Sequence, residues 1–114
     1  MDKIEKYEKI IVDYLEEYAQ ARSNNPNKNA PKFHVVADTK RKHYQLLCMG
    51  WNEHQQYYSC LFHIDIIDDK VWIQRNMTET LIARDFVDLG IPKYDIVLGV
   101  IHPKRRKDTE YAAA

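Results

Sequence analysis

Net charge is the first thing this chain lacks. Its 17 lysines and arginines are balanced by 17 aspartates and glutamates. Free-standing nucleic-acid binders usually carry an excess of basic residues, so neutrality weighs against that class. Cysteine is scarce too: Cys48 and Cys60 are the only two. Both sit in strand-like runs, with neither the CxxC spacing nor the histidine neighbours of a zinc site. They are expected to be reduced, buried thiols in a cytoplasmic protein. No apolar run approaches the roughly 20 residues of a membrane helix. Met1-Asp2-Lys3 leads into an amphipathic pattern rather than an apolar block, so no signal peptide is expected. Internal repeats are missing, and the one biased segment is rich in asparagine. What remains is 114 residues with 45% apolar and 30% charged content. That suits one domain over residues 1–114, able to bury a core without staples.

The most informative stretch is Tyr57 to Asn76, YYSCLFHIDIIDDKVWIQRN. From Tyr58 the even positions are Tyr58, Cys60, Phe62, Ile64 and Ile66, whereas the odd ones include Ser59, His63 and Asp65. That alternation predicts a strand with its even face buried. Asp68-Asp69 interrupts it, and Val71, Trp72 and Ile73 resume a strand pattern. Aspartate tolerates the positive φ of a two-residue hairpin loop, so a hairpin is expected here. The register then sets Ile67 against Lys70, Ile66 against Val71, Asp65 against Trp72, Ile64 against Ile73 and His63 against Gln74. One face carries Phe62, Ile64, Ile66, Val71 and Ile73, which is core. His63, Asp65, Trp72 and Gln74 share the other.

Around this hairpin the pattern predicts an α+β chain. Residues 2 to about 21 place Ile4, Tyr7, Ile11, Tyr14, Leu15 and Tyr18 on one helical face, with Asp2 and Glu5 spaced as a capping pair. Residues 23–31, SNNPNKNAP, make a loop with nothing to pack. Short strands are expected near Phe33–Ala37 and His43–Trp51, so the N-terminal helix leads into an antiparallel β-meander of about four strands. Thr78 is placed to cap a second helix carrying Ile82, Phe86 and Leu89. Gly90-Ile91-Pro92 stops that helix. Residues 96–101 are β-branched and apolar, which predicts a C-terminal strand or extended segment. The tail after His102 frays unless it docks on something.

The polar face of the hairpin admits three chemistries. His63 as a general base held by Asp65 would suit a small hydrolase. Neighbours at i and i+2 on a strand, however, have Cβ atoms about 6–7 Å apart, and no serine or cysteine nucleophile stands opposite. No catalytic residue is therefore assigned. A metal site has too few ligands unless His43, His54 or another subunit contributes, so no metal and no cofactor are assigned. A tryptophan among polar partners has the composition of an interface anchor. The expected role of His63, Asp65, Trp72 and Gln74 is thus partner binding, with the tyrosine-bearing N-terminal helix as a second contact surface. Two basic tetrads, Lys40-Arg41-Lys42-His43 and Lys104-Arg105-Arg106-Lys107, supply the candidate DNA contacts: Lys40, Arg41, Lys42, Lys104, Arg105 and Arg106. Aromatics do not interleave with them, and no helix–turn–helix pair is present.

Several blocks in order give the chain a family resemblance: MDKIEKYEKII, HYQLLCMGW, HIDIIDDKVWIQ, TETLIARDFVDLGIPKYDIVLG and RKDTEYAAA. Together they resemble the XisI family, small cyanobacterial proteins named as controlling factors for excision of the fdxN element. Asp68-Asp69 departs from the Asp-Gly expected at the hairpin, and His102-Pro103 lies one position later than the family pattern. The resemblance implies a small cytoplasmic α+β protein that forms homo-oligomers and serves programmed DNA excision without being an enzyme. A XisH-type, nuclease-like protein is the implied partner, and DNA is contacted directly or through it.

Overall fold

The computed structural model describes residues 2–27 and 29–114; Lys28, within the expected loop, and Met1 lie outside the described residues. The fold is α+β. Helix α1 (Lys3–Ser23) leads into strands β1 (Lys32–Asp38), β2 (His43–Trp51), β3 (Gln56–Ile67) and β4 (Lys70–Asn76), followed by helix α2 (Ile82–Leu89) and strand β5 (Ile96–Leu98). The sheet order is β1-β2-β3-β4-β5. The first four strands form the expected antiparallel meander, while β5 joins parallel to β4 after the α2 crossover.

Local chemistry explains each boundary. Asp2 accepts a hydrogen bond from the Glu5 amide at 2.8 Å, satisfying an orphan donor at the start of α1. Asp68 and Asp69 adopt φ of 51° and 64°, the left-handed pair that a tight hairpin turn demands. Gly90 ends α2 at φ 117°, and its amide and that of Ile91 donate to carbonyls of the last turn. Thr78 behaves differently from expectation. Its hydroxyl donates to Asn76 Oδ1 at 2.7 Å and accepts from the Thr80 amide, so it organises the turn at residues 77–80. Helix α2 starts later, after Leu81, with no side-chain cap. The nearer Asn76 carboxamide captures the hydroxyl before a helix amide can.

The core lies between the sheet and the two helices. Tyr7, Ile11 and Leu15 of α1 and Ile82 and Phe86 of α2 meet Tyr44, Leu46, Phe62, Ile64, Val71, Ile73 and Ile96 of the sheet. Tyr14 packs edge-to-face on Phe86 and Phe62, with centroids 5.3 and 6.2 Å away, and Tyr18 does so on Phe62 at 5.1 Å. The tyrosine stripe of α1 thus packs largely on the core, Tyr7 buried and Tyr14 and Tyr18 half-buried. Three phenols also bond carboxylates across elements: Tyr7 to Asp95, Tyr14 to Asp85 and Tyr44 to Glu8.

Two β-bulges set the outer face. Between β2 and β3 the register steps from Leu46↔Phe62 to Leu47↔Cys60, leaving Leu61 as the extra residue. Beyond it the alternation of β3 inverts: Leu61 packs on the core, while Cys60 and Tyr58 turn to the opposite face. The expectation that Tyr58 and Cys60 line the core is thus corrected. A second bulge lies between β3 and β4, where Ile64↔Ile73 is followed by His63↔Arg75. Gln74 is the extra residue, so His63 faces Arg75 instead of Gln74. The tail does dock: a 3-10 segment (Pro103–Asp108) follows β5, Tyr111 packs against the core, and the Ala112 amide donates to the Ile96 carbonyl. No helix among the described residues is long and apolar enough to cross a membrane.

Candidate functional site

The register brings one row of polar side chains together on the outer face. His43 on β2 pairs with Asp65 on β3, and Asp65 pairs with Trp72 on β4. Because these positions are cross-strand partners, their side chains emerge on the same side within reach of one another. Asp65 Oδ1 lies 2.7 Å from His43 Nδ1 and 2.9 Å from His63 Nε2. Its Oδ2 accepts from Gln74 Nε2 at 3.3 Å. Gln74, two residues beyond Asp65's partner Trp72, shares its face and reaches it diagonally. Gln45, opposite His63 on β2, sets its Nε2 3.4 Å from His63 Nδ1 and 3.9 Å from Cys60 Sγ.

Asp65 is the hub, with only 8% of its surface exposed. Burial pushes its carboxyl up, but the hydrogen bonds and charges of His43 and His63 outweigh that and hold it below the usual aspartate value. An ionised carboxylate only accepts, so both imidazole nitrogens that face it carry their protons. In the neutral rings the lone pairs then fall on His43 Nε2 and His63 Nδ1, and the latter accepts from Gln45. The cluster is accordingly well satisfied, and the His43 ring is half-exposed. Burial raises both thiols above the usual cysteine value; neither is an activated nucleophile.

The structure places the expected binding residues unevenly. His63, Asp65 and Gln74 join one hydrogen-bonded cluster, while Trp72 sits at its β4 end beneath the C-terminal segment. The Arg106 guanidinium lies 5.1 Å from the Trp72 ring centroid and donates to the carbonyls of Ile101 and Gly99. Val97, next to Trp72 in register, is fully buried on this side. The open part of the outer face lies elsewhere, where Val36, Trp51 and Tyr58 are 43%, 63% and 64% exposed. Reasoning from the sequence set His43 among the basic residues and did not assign it to this cluster. Its alternation with Tyr44 and Leu46 marks it as outward, but only the β2–β3 register reveals Asp65 as its partner. His54, also considered as a ligand, stands exposed beside Glu53 in the β2–β3 turn.

The basic tetrads flank this row. Lys40 is exposed, Arg41 pairs with Asp38, and Lys42 Nζ reaches Glu8 at 3.3 Å and the Thr39 carbonyl at 2.6 Å. Asp38 itself is held below the usual aspartate value, above all by the Arg41 amide. Lys104 and Arg105 are exposed on the 3-10 segment, whereas Arg106 is committed to Trp72 and the neighbouring carbonyls.

With this geometry in hand, likeness to known proteins is informative. The family model described as XisI protein matches residues 1–113. A crystal structure of a XisI-like protein from Anabaena variabilis ATCC 29413 is 35% identical, covering 97% of this chain and 99% of that one, with a TM-score of 0.87. The fdxN element excision controlling factor XisI of the same organism is 29% identical, covering 99% and 100%, with a TM-score of 0.81. None of the curated proteins matches. End to end, in fold and in sequence, this chain belongs to the XisI family.

Proposed function

We propose that this chain is a non-enzymatic accessory factor in the excision of a DNA element, acting by binding protein. The observation that carries this is the outer sheet face. A rigid, internally satisfied cluster of His43, His63, Asp65 and Gln74 shares this face with exposed Val36 beside it and with exposed Tyr58 and Trp51 farther along β3 and β2. Exposed aromatics on the same sheet face as a preorganised polar centre have the make-up of an interface. The partner is a XisH-type, nuclease-like protein, and Trp72 with Gln74 forms the β4 rim of the contact. The Cys60 thiol on this face donates to the Phe62 carbonyl and is raised above the usual cysteine value by burial, which favours binding over hydrolysis. The chain works in the cytoplasm and assembles with further copies of itself.

Co-expression with a XisH-type protein, followed by light scattering, tests this. A complex of defined mass is expected, and it should be lost in Trp51→Ala and Tyr58→Ala proteins that keep their far-UV dichroism. A complex that survives both changes and His63→Ala refutes the assignment of the face. A second reading, direct DNA contact, draws on the juxtaposition of Lys40 and Arg41 at one end of the His43–Asp65–Trp72 row and Lys104 and Arg105 at the other. No complex, but retardation of DNA that weakens steeply with salt, would favour it.

A further inference from the structure

The same row supports a property that does not depend on any protein partner. We propose that His43, His63 and Asp65 form a binding site for a divalent transition-metal ion, Zn²⁺ above all, with one coordination position left open. Two imidazoles and one carboxylate are the donor set of open zinc sites and of other divalent first-row ions. One ligand atom from each of the three residues lies within 4.8 Å of the other two.

The geometry needs little adjustment. Around a tetrahedral zinc with bonds of about 2.0–2.1 Å, ligand atoms stand about 3.3–3.4 Å apart. His43 Nδ1 and His63 Nε2 now sit 2.7 and 2.9 Å from Asp65 Oδ1. Each of these contacts must open by about half an ångström, and the two nitrogens, within 4.8 Å of each other, must come to the same tetrahedral spacing, for the ion to enter. All three residues project from β2 and β3, adjacent strands in the middle of the sheet, so the separation of their backbones is already fixed.

The protons have somewhere to go. In the metal-free cluster the nitrogens facing Asp65 carry hydrogen, and a metal requires their lone pairs. Each neutral ring meets this by exchanging its proton through water to its other nitrogen, with no net change in charge. On His43 that nitrogen is Nε2, on a half-exposed ring. On His63 it is Nδ1, next to the Gln45 carboxamide. Rotating that amide by a half turn replaces its N–H with its carbonyl oxygen, which then accepts the new Nδ1–H. Gln45 thus serves either tautomer, and a metal-bound histidine commonly donates its second N–H to such an acceptor. On the remaining side, Gln74 Nε2 donates to Asp65 Oδ2 and leaves Oδ1 for the metal. Gln45 and Gln74 are positioning residues here, and water takes the fourth place on the solvent side.

Untagged full-length protein titrated with Zn²⁺ by calorimetry, and with Co²⁺ by visible absorption, tests the site. One ion per chain is expected, with the intense visible bands of low-symmetry Co²⁺ and a thermal midpoint that rises with zinc concentration. His43→Ala and His63→Ala should each abolish uptake, and both should fold because neither ring is in the core. Gln45→Ala should weaken affinity by about ten- to a hundredfold. His54→Ala, on the distant turn, should leave it unchanged. No uptake by the unaltered chain would overturn the proposal, as would uptake that persists in both ligand variants or falls equally with His54→Ala.

Discussion

Replacing Tyr44 by phenylalanine isolates one of the three phenol–carboxylate bonds that tie the helices and loops to the core. Tyr44 is fully buried on β2, and its hydroxyl donates to Glu8 of α1. Glu8 keeps Lys42 Nζ at 3.3 Å in the variant, so its charge is not stranded. The loss is therefore one hydrogen bond to a charged acceptor, about 1.5–3 kcal/mol, with ring packing intact. For a chain of 114 residues that amounts to a drop of about 6–12 °C in Tm. Urea unfolding at neutral pH, followed by circular dichroism, reads the free energy directly. Tyr58→Phe, at an exposed ring, should stay within about 0.5 kcal/mol. The pH dependence sharpens the test. Burial, then the bond to Glu8, pushes the Tyr44 phenol far above its ordinary value in the folded state. A group raised on folding contributes fully below its unfolded pKa, about 10 for tyrosine, and that contribution is lost as pH rises beyond it. The gap between the parent and Tyr44→Phe should thus be constant from pH 7 to 9 and narrow above pH 10. A gap under 0.5 kcal/mol at neutral pH, or one that widens in alkali, would refute the reasoning.

Two other substitutions probe separate parts of the structure. Phe62→Ala empties the space where Tyr14 and Tyr18 stack and should cost about 3–5 kcal/mol in denaturant unfolding. Arg106→Ala removes the clasp over Trp72; hydrogen exchange should accelerate across residues 99–112 while the β3–β4 hairpin stays protected.

Much of the fold is legible from local chemistry. Asp2 and Glu5 announce the start of α1, Asp68-Asp69 sets the hairpin register down to Ile64↔Ile73, and Gly90 ends α2. Each of these signals operates within a few residues. The bulges at Leu61 and Gln74 have no comparable signature, since either residue would sit equally well in a regular strand. Their effect is large all the same: one moves Tyr58 and Cys60 to the outer face, the other sets Arg75 instead of Gln74 opposite His63. The cluster was half visible for a related reason. His63 and Asp65 are two apart in sequence and share a strand face, but His43 meets them through a strand pairing 22 residues away. Arg106 resembled a free phosphate contact because nothing in KRRK says which guanidinium will find a tryptophan.

The order of the strands also bears on how the chain assembles in time. Within the meander each strand pairs with its neighbour in sequence, so most of the sheet can zip from short loops with little loop-closure entropy. The phenol–carboxylate bonds belong to another regime: Tyr7 and Asp95 are 88 residues apart, and Tyr14 and Asp85 are 71 apart. Contacts with such spans carry the larger loop-closure cost and are expected to close after the sheet exists. They act as latches on a finished sheet, so weakening them quickens unfolding more than it slows folding.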